Sequence, residues 1–239
     1  KGSYQVRDTL QNGEGYWLKY ASATLEHFAG SSFARETINV ANGWNMVGPP
    51  SYPVRAADII VLSPTTFSST FFGYTSSAGY FTEDTLSPGK AYWIKVTNDG
   101  RLVLDAASVE IEPTVPSTLA GKQPHKTPSQ EQLNTLIFKD NQGRERALYF
   151  SSIPIELDMK QYELPPSPPV ELYDVRFATN SSVAIAGKEK SREITIHISA
   201  AEYPVTISWE SKQHASMRIN DKEVSLYGIG ETKIAVSEG

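Results

Sequence analysis

Residues 4–19, Tyr-Gln-Val-Arg-Asp-Thr-Leu-Gln-Asn-Gly-Glu-Gly-Tyr-Trp-Leu-Lys, recur without gaps as residues 80–95. Eight of the 16 positions are identical at an offset of 76: Tyr4/Tyr80, Asp8/Asp84, Thr9/Thr85, Leu10/Leu86, Gly13/Gly89, Tyr16/Tyr92, Trp17/Trp93 and Lys19/Lys95. Tryptophan and tyrosine are rare enough that matching them at one fixed spacing marks a true repeat. A repeat constrains the fold strongly, because each copy needs an equivalent core to pack against. The second copy follows Gly43-Trp44-Asn45-Met46-Val47-Gly48 and a long connection, whereas the first begins at Tyr4. The sequence therefore reads as one and a half repeats. Either the domain is built that way, or an upstream half has been removed by processing or trimming. A half repeat leaves strand edges that need covering, so an upstream part of the same precursor, or another protein chain, is the expected partner.

The local signals are almost all of the strand type. Tyr16 to Tyr20, Thr37 to Val40, Ala91 to Val96 and Arg101 to Leu104 are short aromatic or β-branched runs bounded by turn residues. Thr97-Asn98-Asp99-Gly100 reads as a hairpin turn, with Gly100 free to take positive φ. One helical turn fits after Pro53, within Ser51 to Leu62. Residues 1–111 are thus expected to form a β-repeat domain, a barrel or a sandwich. Residues 112–134 carry Pro113, Pro116, Pro124 and Pro128 in a Ser/Thr/Gln/Lys-rich stretch and read as a linker. Strands resume in 135–239. Leu136–Lys139 and Arg144–Phe150 flank a hairpin turn, and Ile194, Ile196 and Ile198 alternate with polar residues at the period of a half-buried strand. Val205–Trp209, Ser216–Asn220 and Glu223–Leu226 continue the series, and Leu164 to Pro169 reads as extended polyproline. The fold class expected is all-β, with an Ig-like β-sandwich following the repeat domain.

Catalytic signatures do not emerge. The chain has no cysteine, which excludes disulfides, thiolate metal sites and a cysteine nucleophile. His27, His125, His197 and His214 are scattered, with no zinc-binding spacing. No nucleophile elbow, P-loop or dinucleotide fingerprint occurs. The Glu83-Asp84 pair precedes a Pro/Gly turn and suits turn capping better than glycosidase chemistry. No enzyme activity and no cofactor are expected. Asp99, Asp105 and Asp140-Asn141 offer loop oxygens for structural calcium, but none has EF-hand spacing. With 22 basic and 27 acidic residues, net charge −5, nucleic-acid backbone binding is not the main role. No apolar run is long enough for a membrane span.

The aromatics carry the binding hypothesis. Trp17, Trp44, Trp93 and Tyr74 are candidate ligand-binding residues, since exposed rings on a β surface can stack on sugar faces. Adjacent Tyr and Trp on a strand point to opposite faces, so one ring of each pair can be buried and the other wet. The competing account is that both rings pack, as a repeated core requires.

The phrases Gly43-Trp44-Asn45-Met46-Val47-Gly48, Phe71-Phe72-Gly73-Tyr74 and Leu86-Ser-Pro-Gly-Lys-Ala-Tyr-Trp-Ile-Lys-Val96 resemble a region of large secreted bacterial surface proteins. Leu136-Ile-Phe-Lys-Asp-Asn-Gln-Gly143, Leu148-Tyr-Phe150 and the stretch from Glu163 through Phe177 resemble the module that follows it there. In such proteins this β-repeat plus β-sandwich tandem often stands shortly before the C-terminal sorting domain of the type IX secretion system. No sorting domain is recognisable here. The resemblance implies a secreted or outer-surface location and a structural, adhesion or assembly role without catalysis. The alternative is a carbohydrate-binding module of an extracellular polysaccharide-degrading enzyme, with polysaccharide as partner.

Overall fold

The structure is a computed structural model, and it describes residues 4–22, 24, 25, 27, 29–106, 132–186, 193–219 and 221–235. The expected linker lies outside the described residues except for 132–134, where Leu133 is already buried and Asn134 already pairs. The fold is all-β, and no closed barrel is present among the described residues. The chain divides into two compact units. One comprises the described residues within Lys1–Gly73 and Phe81–Ala120; the other comprises those within Tyr74–Tyr80 and Gly121–Gly239.

The first unit is a sandwich. Its strands are β1 (Arg35–Val40), β2 (Gly43–Val47), β3 (Val54–Arg55), β4 (Ile60–Leu62), β7 (Thr85–Leu86), β8 (Tyr92–Val96) and β9 (Gly100–Asp105), with parts of β5 (Phe71–Thr75) and β6 (Gly79–Glu83). They form sheets ordered β2-β8-β5-β6 and β1-β9-β4, plus the pair β3-β7. Alternation decides what enters the core. Tyr92, Ile94 and Val96 of β8 point inward with Ile38 and Val40 of β1, Phe71 of β5 and Leu102 and Leu104 of β9. Each fully buried aliphatic side chain of this kind contributes roughly 1.5–3 kcal/mol. The helical turn after Pro53 is a single 3-10 turn, Ala56–Asp58.

The Thr97–Gly100 turn is not a hairpin. β8 pairs with β2 and β5, while β9 pairs with β1 and β4, so the turn carries the chain from one sheet to the other. Gly100 is required there by close approach. A Cβ at Gly100 would lie 2.6 Å from Thr65 Cγ2. A second departure concerns the first repeat copy, where residues 16–20 form no strand.

The second unit is also a sandwich. β10 (Asn134–Lys139), β11 (Glu145–Ser151), β13 (Val183–Ile185), β15 (Val205–Ser211) and β18 (Gly228–Ile234) make a five-stranded sheet ordered β13-β11-β10-β15-β18. All its pairings are antiparallel except β11 with β13. β12 (Asp174–Phe177) pairs with β14 (Ile196–Ser199), and β16 (Ser216–Ile219) with β17 (Lys222–Ser225). Leu136, Phe138, Leu148 and Ile207 from the large sheet pack with Tyr173, Val175 and Phe177 and with the alternating isoleucines Ile194, Ile196 and Ile198. The β10–β11 hairpin turns at Asp140–Gly143, with Gly143 at φ 79°.

Candidate functional site

The duplicated motif builds the same turn twice. The Gln11 backbone N–H donates to the Tyr16 hydroxyl at 3.0 Å, and 76 residues later the Ser87 N–H donates to the Tyr92 hydroxyl at 2.9 Å. Gly13 and Gly89 occupy the left-handed region at φ 78° and 75°, which only glycine adopts without strain. The Tyr16 hydroxyl also donates to the Glu14 carboxylate, which holds its pKa above the ordinary tyrosine value. The turn itself is equivalent in the two copies, but the residues leading into it are strands β6 and β7 in the second copy and form no strand in the first.

On both sides of the turn the copies diverge in burial. Leu86, Tyr92, Ile94 and Val96 of the second copy are at most 1% exposed. Their equivalents in the first copy are Leu10 at 45%, Tyr16 half-buried, Leu18 at 52% and Tyr20 at 46%. Residues 13–15 do touch the sheet. Glu14 forms a lone bridge with Val47, and the Gly15 N–H donates to the Met46 carbonyl at 2.9 Å. Gly15 permits this because a Cβ there would sit 2.4 Å from Met46 Cγ. Residues 16–20, which follow, form no strand.

Three of the four candidate binding aromatics belong to the first unit, and none of the three is fully exposed. Trp44 and Met46 of β2 lie opposite Lys95 and Trp93 of β8, on the sheet face turned away from the core, and Phe72 of β5 lies opposite Trp93. The Trp44 and Phe72 rings meet edge to face at 65°, with centroids 5.9 Å apart, and Lys95 Nζ lies 5.9 Å from the Trp44 ring. The Trp93 indole nitrogen is buried and makes no hydrogen bond. Trp17 meets Tyr4 edge to face. Rings crossed at such angles do not present the coplanar surface on which a sugar stacks. Tyr74 falls in the second unit, where its hydroxyl donates to the Tyr173 carbonyl at 3.2 Å and its ring packs edge-on to Tyr80.

The second unit contains a polar cluster that sequence reasoning did not find. Burial works against the Asp140 carboxylate, but Arg144 and the backbone N–H groups of Arg144 and Glu202 outweigh it and hold its pKa below the usual range. The Arg144 and Arg146 guanidinium carbons lie 4.9 and 4.8 Å from the Tyr173 ring centroid. Burial raises the Tyr173 pKa and lowers that of Arg146. Arg146 donates to the carbonyls of Ser76, Ser77 and Tyr173. Gly79, at φ 72°, makes room for it, since a Cβ there would lie 2.4 Å from Arg146 Nε. Arg176 pairs with Asp174 and donates to Pro165 and Asn180 oxygens. These charges are spent on holding loops.

A groove of about 310 Å³ lies in the same unit, lined by Met159, Lys160, Glu163, Ser181, Val183 and Ile194 among others. No histidine lines it. His27, His197 and His214 are exposed, and His125 lies outside the described residues. His214 stacks on Tyr227 at 4.2 Å and 8°. Among the described residues no cluster of three His, Asp or Glu side chains could hold a metal ion. The loop acids considered for calcium are otherwise engaged: Asp99 accepts the Asn42 N–H, Asp105 faces Arg35 at 3.7 Å, and Asp140 binds Arg144. No helix among the described residues is long and apolar enough to cross a membrane. No protein-family model matches the chain, and comparison with curated proteins and with solved structures returns no match.

Proposed function

We propose that this chain is a non-catalytic structural, adhesion or assembly region of a larger secreted or cell-surface bacterial protein. The observation that carries the reading is the closing turn built twice at one spacing, hydrogen bond for hydrogen bond. Duplication of a packing element suits a part that spaces or joins other parts. The use of Asp140, Arg144, Arg146, Asp174 and Arg176 as internal ties supports the same reading. The surface location rests on the resemblance to proteins exported by the type IX system. Surface labelling and crosslinking on intact cells test it. The expected result is labelling from outside together with covalent adducts to protein. Confinement to the cytoplasm, or polysaccharide hydrolysis by the purified chain, overturns it. Retention on a polysaccharide that disappears in Trp44→Ala would replace it with the carbohydrate-binding alternative.

A further inference from the structure

The first repeat copy carries a core pattern without a core. Six large apolar residues between positions 4 and 25 are exposed: Tyr4, Val6, Leu10, Leu18, Tyr20 and Leu25. Scattered exposed apolar side chains are ordinary, but these include positions that the second copy buries completely. Leu10, Leu18 and Tyr20 correspond to Leu86, Ile94 and Val96, all three of which lie in the first unit's core. The local turn of the first copy is nevertheless formed, so its sequence has not decayed.

We infer that residues 10–20 supply the turn, and within it residues 16–20 the central strand, of another sandwich of the same kind, and that they dock against the half-repeat immediately N-terminal to them in the same polypeptide. The second copy shows what such an occupant looks like. In it, β8 is a central strand, paired on one side with the Gly-Trp-Asn-Met-Val strand β2 and on the other with β5. Both neighbours precede it in the chain, within residues 43–75. The same period applied to the first copy places its acceptor directly upstream.

A second copy of this chain fits less well. Its acceptor strands already hold their own β8, and a tethered strand outcompetes a free one through its high effective concentration. The inference needs only the repeat, and it holds equally for a chain that never reaches a cell surface.

Hydrogen exchange read by mass spectrometry tests it, comparing the 239-residue chain with the same chain extended upstream by one repeat of its own gene. In the shorter chain, amides 16–20 are expected to exchange as in an unfolded peptide while amides 92–96 stay protected. In the extended chain, amides 16–20 should gain at least about 100-fold protection. Leu18→Asp, at an exposed position that leaves the shorter chain folded, should abolish that gain and leave amides 92–96 unchanged. Three results overturn the inference: amides 16–20 as fast in the extended chain as in the shorter one, protection that rises with the concentration of the shorter chain, or a gene whose first codons encode Lys1.

Discussion

Asp140 has no exposed side-chain surface, yet it stays ionised because one guanidinium and three backbone N–H groups converge on it. Its folded pKa lies below the unfolded value of about 3.9, so its stabilisation is complete above about pH 4 and drains away as pH falls through the folded value. Asp140→Asn is expected to lose about 2–4 kcal/mol at pH 7, and urea titrations should show a shallower decline below pH 4 than in the parent. Gly230 offers a second test. It pairs with Trp209 across β15 and β18, and a Cβ would lie 2.4 Å from that indole. Gly230→Ala should cost about 1–3 kcal/mol by overpacking, read as a lower urea midpoint with unchanged slope. Neither site was legible in the sequence. Asp140 and Arg144 flank a turn that reads as a hairpin whatever its acid does, and Tyr173 joins them only through the fold.

Strands are held by neighbours, and the repeat separates that effect from local sequence. Tyr16–Tyr20 and Tyr92–Val96 read alike, yet only the second forms a strand, because only it lies between two others. Ile94→Ala should therefore cost about 2–4 kcal/mol, while Leu18→Ala in the same chain stays within about 0.5 kcal/mol; paired chemical melts check both. Where partners come from nearby residues, the sequence was sufficient. The β10–β11 and β16–β17 hairpins form as read, and of the alternating isoleucines Ile196 and Ile198 lie in β14 while Ile194 precedes it. The corner at Thr97–Gly100 was not legible, because Asn-Asp-Gly chemistry turns the chain equally well within a sheet or between sheets. What decides is remote: β9 finds β1, and Thr65 fills the space that a side chain at position 100 would need.

At the scale of the whole chain, all-β architecture was legible from short β-branched runs and turn residues, and the sandwich was expected alongside a barrel. The division of the chain was only partly so. Composition marks a boundary at the Pro-rich stretch, but residues 74–80 belong with the second unit although they lie far upstream of it. A fragment spanning residues 121–239 therefore lacks the Ser76 and Ser77 carbonyls that Arg146 binds. It should be about 2–4 kcal/mol less stable than the same residues in the intact chain, as measured by exchange of the β11 amides.

The excursion of the chain through Tyr74–Tyr80 also bears on how such a pair can be inherited. No single cut yields two intact pieces, since the first unit is interrupted and the second is assembled from two stretches. A genetic exchange at the proline-rich stretch would strand a buried arginine on one side and its acceptors on the other. Exchange there would leave the second unit without the stretch that supplies those acceptors.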